Sequence, residues 1–118
     1  MGFVNVNDLP ELEIAKGIKA RAVTAECVTV LHVTIDEGAL LPEHSHYHEQ
    51  VVNVVEGELE LTVKGETHRL TPGKVMVLEP NVAHSGRCIS KCRVVDVFHP
   101  VRQDFAGSSF GGYPSEKK

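Results

Sequence analysis

Alternation of apolar and polar residues with a period of two constrains the fold of this chain more than any other feature. In "ELELTVK", residues 58–64, the leucines and the valine share one face, and charged or hydroxyl side chains share the other. Comparable runs are "IKARAVT", "CVTVLHVTI", "QVVNVV", "KVMVLEP" and "KCRVVDVF". No long segment carries apolar residues at helical spacing, so the pattern predicts a mostly β protein built from half-buried strands.

Glycines and prolines separate these runs and mark the turns between them, as at Gly38, Gly57, Gly65 and Gly73. Six or more short strands must close on one another, because open sheet edges invite aggregation. With 118 residues the chain has room for one domain. We therefore expect a sandwich or barrel over residues 1–105 and a flexible Gly/Ser-rich C-terminal tail over residues 106–118.

Charge and composition favour a small-molecule partner over nucleic acid or membrane. The net charge is -4, and no basic stripe is present that would neutralise phosphates. The N-terminal "MGFVNVNDLP" lacks the charged and apolar regions of a signal peptide, so we expect a cytoplasmic protein. Its three cysteines have no CxxC spacing and fit reduced thiols; Cys88 and Cys92 are interpreted as buried thiols or as a pair facing across a hairpin.

Three histidines at alternate positions in "PEHSHYHEQVV" suggest a metal site. Alternation places His44 and His46 on one side, inside the barrel if the preceding Leu40 and Pro42 lead inward. Buried imidazoles need partners, and a divalent ion satisfies several at once, with His84 of "PNVAHSG" as the third. The alternative is a pH-sensitive polar cluster.

The other polar side chains near these histidines allow more than one interpretation. Gln50 is either a ligand or a residue that orients water. His48 is expected to be solvated or to contact the ligands without binding metal. His32 is expected to be a satisfied interior histidine, and His68 to lie at the surface. The sequence does not decide whether His99 leans over the site.

The spacing of these residues resembles the two sequence motifs of the cupin superfamily. The first motif corresponds to Gly38, five residues, His44, one residue, His46, three residues, Gln50, six residues and Gly57, with glutamine in place of glutamate. The second corresponds to residues 73–84, with Glu79 and Asn81 where proline and glycine are usual. Asparagine tolerates a positive φ, so we expect the turn to survive. The resemblance implies an all-β double-stranded β-helix, the cupin jelly-roll barrel.

Residues 30–105 further resemble the KdgF-type pectin-degradation cupins, through "HSHYHEQ", "VVEGELELTVKGE" and "VVDVFHPVRQDF", with departures at Tyr47 and His99. The resemblance implies metal-dependent conversion of 4,5-unsaturated uronates, from pectin or alginate, to the linear 5-keto form. The implied metal ligands are His44, His46, Gln50 and His84. The implied catalytic residues are Asp96, Phe98 and Arg102.

Chemical reasoning suggests a role for each of these residues. A carboxamide at Gln50 leaves a bound Ni, Zn, Mn or Fe dication its full charge for an anionic sugar. Asp96 is the candidate proton carrier, Arg102 the clamp for the substrate carboxylate and Phe98 the wall beside the sugar. Alternatively, Asp96 forms a structural ion pair with Arg93 or Arg102, and Phe98 is plain core.

Two other classes of function fit the same fold, because fold alone does not determine function. One is a metal-dependent cupin dioxygenase, and the other is a non-catalytic sugar-binding cupin. We also expect a homodimer, since the apolar N-terminal run "LPELEIAKGIKARAV" could pair with the sheet of a neighbouring copy.

Overall fold

The computed structural model of this chain describes residues 2–105, which form eight β-strands and two short 3-10 helices, Val6–Asp8 and Gln103–Phe105. The strands are β1 Leu12–Ala15, β2 Ile18–Thr24, β3 Thr29–Ile35, β4 Leu40–His44, β5 Glu49–Val63, β6 Glu66–Leu70, β7 Val75–Leu78 and β8 His84–His99. The all-β prediction is confirmed. Two of the expected runs, "QVVNVV" and "ELELTVK", belong to one continuous strand, β5. Between residues 2 and 105 no helix has the length and apolar character to cross a membrane.

Two long strands, β5 and β8, pair antiparallel along their whole length and organise the fold. The first half of β8 pairs with β4, and its second half pairs with β3. Similarly, the first half of β5 pairs with β7 and its second half with β6. Each long strand therefore belongs to two layers, which enclose an apolar core. This arrangement is the double-stranded β-helix that the motifs predict.

Both long strands bend at the same place, and Gly57 makes the bend possible. The register between β5 and β8 shifts repeatedly between Val54 and Leu59. Gly57 has a φ of 86°, and a Cβ at this position would lie 2.1 Å from the backbone oxygen of Lys91. Only glycine satisfies both the left-handed conformation and the close approach of the two chains.

The two buried cysteines lie beside this bend. Cys88 and Cys92 are both in β8, so the alternative of a hairpin at "CISKC" is wrong and the interpretation as buried thiols is confirmed. Their sulfur atoms are 3.4 Å apart, and both thiols donate to the carbonyl of Ser90. Burial is the main reason that the pKa of the Cys92 thiol rises to about 12. These thiols therefore fill the bend as small apolar groups.

Replacing Gly57 by alanine is expected to destabilise the protein more than the same change at Gly65. Both glycines have a positive φ, but a Cβ at Gly65 meets no atom within 4 Å. Gly65→Ala should lower the free energy of unfolding by about 1 kcal/mol through backbone strain alone, and Gly57→Ala by about 3 kcal/mol or more. Urea unfolding monitored by circular dichroism measures both values. Equal losses for the two variants would contradict the role assigned to the bend.

Candidate metal centre

A bulge in β4 turns His44 into the barrel. Leu40 is 61% exposed, so plain alternation would also turn His44 outward, and the expectation that Leu40 and Pro42 lead inward is wrong. The register between β4 and β8 shifts between Leu41 and His44, which reverses the alternation. As a result Leu41 and His44 both line the central cavity, and His44 lies opposite His84, the first residue of β8. His46 follows in the loop between β4 and β5.

The side chains of His44, His46 and His84 converge on one point. One ring nitrogen from each can be chosen so that all three atoms lie within 4.8 Å of one another, and the ring centroids are 4.3 to 5.8 Å apart. In every ring, Nδ1 lies within hydrogen-bond distance of a backbone carbonyl, at Pro42, His48 and Val82 respectively. A carbonyl only accepts, so Nδ1 carries the proton and Nε2 keeps its lone pair.

These rings have the chemistry of a metal-binding triad. Histidines that ligate metal usually donate their other ring N–H to a backbone carbonyl or carboxylate, and all three rings do so here. Within residues 2–105, the buried Nε2 of His84 has no hydrogen-bond partner. Burying a nitrogen lone pair that accepts no hydrogen bond costs free energy of folding, and coordination to a divalent cation would offset that cost. The triad could therefore hold a metal ion.

Gln50 adds an oxygen next to the triad. Its side chain is buried on β5, and its Oε1 atom is 3.1 Å from Nε2 of His46. The amide group of Gln50 donates a hydrogen bond to Asp96, which fixes Oε1 on the side of His46. Two lone pairs then face each other at hydrogen-bond distance, an arrangement that a cation between them would stabilise.

Burial keeps the three imidazoles neutral. Desolvation is the largest cause, and it lowers the pKa of His44 and that of His46 from 6.5 to about 4. The positive charge of Arg102 and the neighbouring imidazoles act in the same direction. Burial also lowers the pKa of His84. Near pH 7 each ring is therefore in the form that binds metal.

Asp96 and Phe98 lie on the inner face of β8, on either side of the outward-facing Val97. Burial raises the pKa of the Asp96 carboxyl to about 7, and the hydrogen bond from Gln50 and the charge of Arg102 oppose this rise. Its Oδ1 atom is buried and has no hydrogen-bond partner in the described part of the chain. The fully buried ring of Phe98 packs edge-on against His46, with centroids 5.6 Å apart.

The two arginines considered as partners of Asp96 form salt bridges with other residues. Arg93 pairs with Glu56 at 3.5 Å, and Arg102 pairs with Asp104. Across residues 2–105 no cationic side chain lies within 4.0 Å of the Asp96 carboxyl oxygens, so the alternative of a structural ion pair with Arg93 or Arg102 is not what the structure shows.

Arg102 is held firmly beside the site. Its side chain is only 5% exposed, and its guanidinium lies over the rings of Phe98 and Phe105, at 4.7 and 4.9 Å from their centroids. Nε and one terminal nitrogen donate to the two carboxylate oxygens of Asp104, at 3.0 and 2.6 Å. The sequence reasoning missed Asp104, although its position two residues after an arginine in "RQD" was the available signal.

Of the remaining histidines, only His32 departs from the position expected for it. His48 is buried, with its ring stacked on Tyr47 at 4.0 Å and packed near Phe98, so it contacts the site and is not solvated. His32 lies on the outer face of β3, opposite Val95, so the interior position expected for it is wrong. His99 is exposed, and so is His68, as expected.

The central cavity joins the polar site to the apolar core. The polar end of the cavity is lined by His44, Gln50, His84 and Asp96. The rest is lined by aliphatic residues such as Leu31, Val52 and Leu61. Its volume of about 50 Å³ has room for an ion with a few waters. A sugar would therefore meet the site at its mouth.

Comparison with known proteins identifies similar sequences and structures. The family described as "Cupin domain" matches residues 31–98. The pectin degradation protein KdgF of Dickeya dadantii (strain 3937) is 28% identical over 102 residues, covering 84% of this chain and 93% of that protein. The solved structure of KdgF from Halomonas sp. superposes with a TM-score of 0.81 at 27% identity, covering 88% of this chain and 97% of the other.

A second group of relatives is named for a different activity. The L-ectoine synthase of Mycolicibacterium vanbaalenii is 36% identical over 69 residues, which are 57% of this chain and 53% of that enzyme. The present chain therefore matches only about half of the ectoine synthase, but nearly all of both KdgF proteins.

Replacing His84 by alanine is expected to abolish stoichiometric metal binding. The change removes the only one of the three imidazoles that is fully buried, and two rings rarely hold an ion alone. Metal analysis after dialysis against nickel or zinc should give one ion per wild-type chain and almost none for His84→Ala. His68→Ala, on the exposed strand β6, is the matched control and should keep its ion. A fully loaded His84→Ala protein would exclude the site.

The affinity for metal is expected to change little with pH in an Asp96→Asn background. An ordinary imidazole of pKa 6.5 loses affinity about tenfold for each pH unit below that value, so three rings would lose about a thousandfold. The lowered pKa of about 4 keeps His44 and His46 neutral through this range. The dissociation constants for Ni²⁺, measured by titration calorimetry at about pH 7.5 and about pH 5.5, should therefore differ less than tenfold.

The wild-type protein serves as the comparison for this measurement. Its Asp96 carboxyl, with a pKa of about 7, loses negative charge as the pH falls through that value, so affinity should fall more than in Asp96→Asn. A thousandfold loss in Asp96→Asn would show that the rings titrate normally and are not desolvated.

Proposed function

Because the chain belongs to the cupin domain family, we propose that it binds one divalent metal ion and converts 4,5-unsaturated uronates to their linear 5-keto form. The observation that carries the proposal is a continuous contact from the triad through Gln50 to the half-buried acid Asp96. This contact links neutral donors for a cation with a group able to carry a proton. The likeness to two KdgF proteins over nearly their whole length supports the substrate class.

The proposed ligands are His44, His46, His84 and Gln50. All four are neutral, so they leave a bound dication with its full charge. When bound, the ion supplies a Lewis acid that attracts and polarises the oxygens of an anionic sugar. Nickel, zinc, manganese and iron all accept imidazole and amide oxygen ligands, so the donor set favours none of them.

The proposed reaction is an isomerisation that needs proton delivery to carbon 4 of a cyclic enol ether. As that C–H bond forms, carbon 5 becomes a ketone, the ring C–O bond breaks at carbon 1, and the hydroxyl on carbon 1 gives up its proton. No oxidant or second substrate is consumed. A single acid–base group at the mouth of the site can therefore serve the reaction.

Asp96 is the proposed proton carrier. With a pKa raised to about 7, its carboxyl is partly protonated at neutral pH, and Oδ1 is not used by another hydrogen bond within residues 2–105. After the proton leaves, the amide N–H of Gln50 and the charge of Arg102 stabilise the carboxylate. The acid and its conjugate base are thus both accommodated at the same position.

Arg102 is proposed to recognise the substrate carboxylate, and Phe98 to form the wall beside the sugar. The guanidinium is already oriented by Phe98 and Phe105, so little entropy is lost when an anion binds. The edge of the Arg102 guanidinium that could donate two hydrogen bonds to one carboxylate already contacts Asp104, whose side chain is 41% exposed. An incoming carboxylate would therefore share the guanidinium with Asp104 or replace it.

The proposed activity implies a substrate source, a compartment and an oligomeric state. The substrate would be a small acidic sugar released from pectin or alginate, and the protein would act in the cytoplasm as a homodimer. Strand β1, within the N-terminal run expected to pair with another copy, lies at one end of the sheet order.

Replacing Asp96 by asparagine is expected to reduce turnover at least about a hundredfold while metal content stays unchanged, because an amide cannot donate the proton. The loss of ultraviolet absorbance of an unsaturated uronate measures turnover of the metal-loaded protein. The matched control is Asp36→Asn, which makes the same change at an exposed residue outside the site and should retain the full rate of turnover.

The same assay separates the competing functions. Wild-type protein that binds the uronate without turnover would indicate a sugar-binding cupin. Oxygen consumption with flavonol, thiol or enediol substrates would indicate a dioxygenase. Either result, with the metal site fully loaded, would reject the proposed isomerisation.

A further inference from the structure

Arg102 carries a buried positive charge that several neighbours hold in place. Its backbone N–H donates a hydrogen bond of 2.9 Å to the hydroxyl of Thr29, which is fully buried. Its guanidinium lies over the rings of Phe98 and Phe105, and both rings are buried. These contacts fix the position of the guanidinium, but neither a hydroxyl nor an aromatic ring carries the full negative charge that balances a buried cation.

Asp104 supplies that negative charge. Nε and Nη2 of Arg102 donate to the two carboxylate oxygens of Asp104, so each oxygen accepts one hydrogen bond in a bidentate pair. The pair forms within one turn of the chain, because Asp104 belongs to the 3-10 helix Gln103–Phe105, in which the N–H of Phe105 donates to the carbonyl of Arg102. A buried guanidinium that lacks a carboxylate is costly, so the pair stabilises the folded chain.

The two partners differ in their exposure to solvent. The side chain of Arg102 is 5% exposed, and that of Asp104 is 41% exposed. Nη1 of Arg102 is buried, and within residues 2–105 the central cavity is lined by other side chains. The edge formed by Nε and Nη2 is therefore the part of the guanidinium that an anion from solution would reach, and Asp104 already occupies it.

We propose that Asp104 occupies the place of the sugar carboxylate on Arg102, and that a sugar acid binds by displacing Asp104 into solvent. The inference rests on the proposed function, from which it takes the acidic sugar as ligand. An incoming carboxylate offers the same two oxygens as Asp104, and the half-exposed side chain of Asp104 can turn toward water. A neutral sugar would leave the guanidinium without a negative partner. Asp104 is therefore a specificity-determining residue that acts through Arg102.

This exchange has two consequences of opposite sign. Before the sugar binds, Asp104 stabilises the buried charge of Arg102. During binding, the same contact competes with the ligand. Removing the carboxylate of Asp104 should therefore make the folded protein less stable and its binding of sugar acids tighter. A residue that only positioned Arg102 would, when altered, reduce both the stability and the affinity.

Replacing Asp104 by asparagine tests the exchange, because the amide keeps the shape of the side chain and removes its charge. Thermal unfolding of metal-loaded Asp104→Asn, followed by circular dichroism, should give a melting temperature about 4 °C below that of the wild type. The dissociation constant for D-galacturonate, measured by titration calorimetry, should fall at least about threefold. Binding of the neutral sugar D-galactose should not become tighter. The matched control is Asp36→Asn, at an exposed residue away from Arg102, which should change none of these values.

A double-mutant comparison tests whether Asp104 acts through Arg102. In an Arg102→Gln background, Asp104→Asn should change the affinity for galacturonate less than about twofold, because the competition requires the guanidinium. If Asp104→Asn does not fold, Asp104→Ser replaces it in every comparison. The proposal is overturned by weaker or unchanged galacturonate binding in Asp104→Asn, by the absence of measurable binding in either protein, or by an equal gain in affinity in the Arg102→Gln background.

The same samples separate this inference from the proposed reaction. Turnover of the unsaturated uronate by the wild type, with galacturonate affinity unaffected by Asp104→Asn, would support the reaction and reject the role of Asp104. Tighter galacturonate binding by Asp104→Asn, without turnover by either protein, would support the exchange and reject the isomerisation. If both are correct, Asp104→Asn should lower KM for the unsaturated uronate with little change in kcat.

Discussion

The antiparallel pairing of β5 with β8 is the interaction on which the rest of this structure depends. Their hydrogen bonds run from Glu49 opposite His99 to Val63 opposite His84, and the two strands bend together where Gly57 meets the backbone of Lys91. The bend lets one pair of strands serve two layers, so a short chain encloses a core. The same pairing puts Gln50, His84 and Asp96 around one cavity.

Solvent exclusion gives that cavity its chemistry. Burial makes imidazolium unfavourable and a neutral carboxyl favourable, so it lowers the pKa of His44 and raises that of Asp96. One physical cause thus prepares lone pairs for a cation and a proton for a substrate. Gln50 connects the two, because its oxygen lies toward His46 and its amide nitrogen toward Asp96. Arg102 adds a fixed positive charge without entering the cavity lining.

Much of the fold could be predicted from the sequence, because strand alternation and turn residues are local properties. The alternation in "ELELTVK" predicted that Leu59 and Leu61 are buried, and Asn81 adopts the positive φ of 68° expected for the residue that stands in place of glycine. The runs were correctly predicted to be strands. The sequence did not show that they join into the long strands β5 and β8, because a bend at glycine is hard to distinguish from a turn.

The details of the site depend on contacts that a local pattern does not contain. The bulge that turns His44 inward follows from pairing of β4 with β8, and alternation alone predicts the opposite face for it. His32 was expected inside because it alternates with Val28 and Val30, yet that whole row faces outward. The position of Arg102 depends on the return of the chain after β8 toward β3, where the backbone N–H of Arg102 donates a hydrogen bond to the hydroxyl of Thr29. The spacing of the motifs was informative about the triad because it reflects this same three-dimensional arrangement.

The opposition of His44 and His84 across β4 and β8 has a consequence for how the protein folds. These residues are far apart in the sequence, so they meet only after the barrel has closed, and an unfolded chain offers a cation no comparable set of donors. Any ion held there acts as a removable cross-link whose binding free energy adds to that of folding. The lifetime of the protein in a cell would then vary with the supply of the metal.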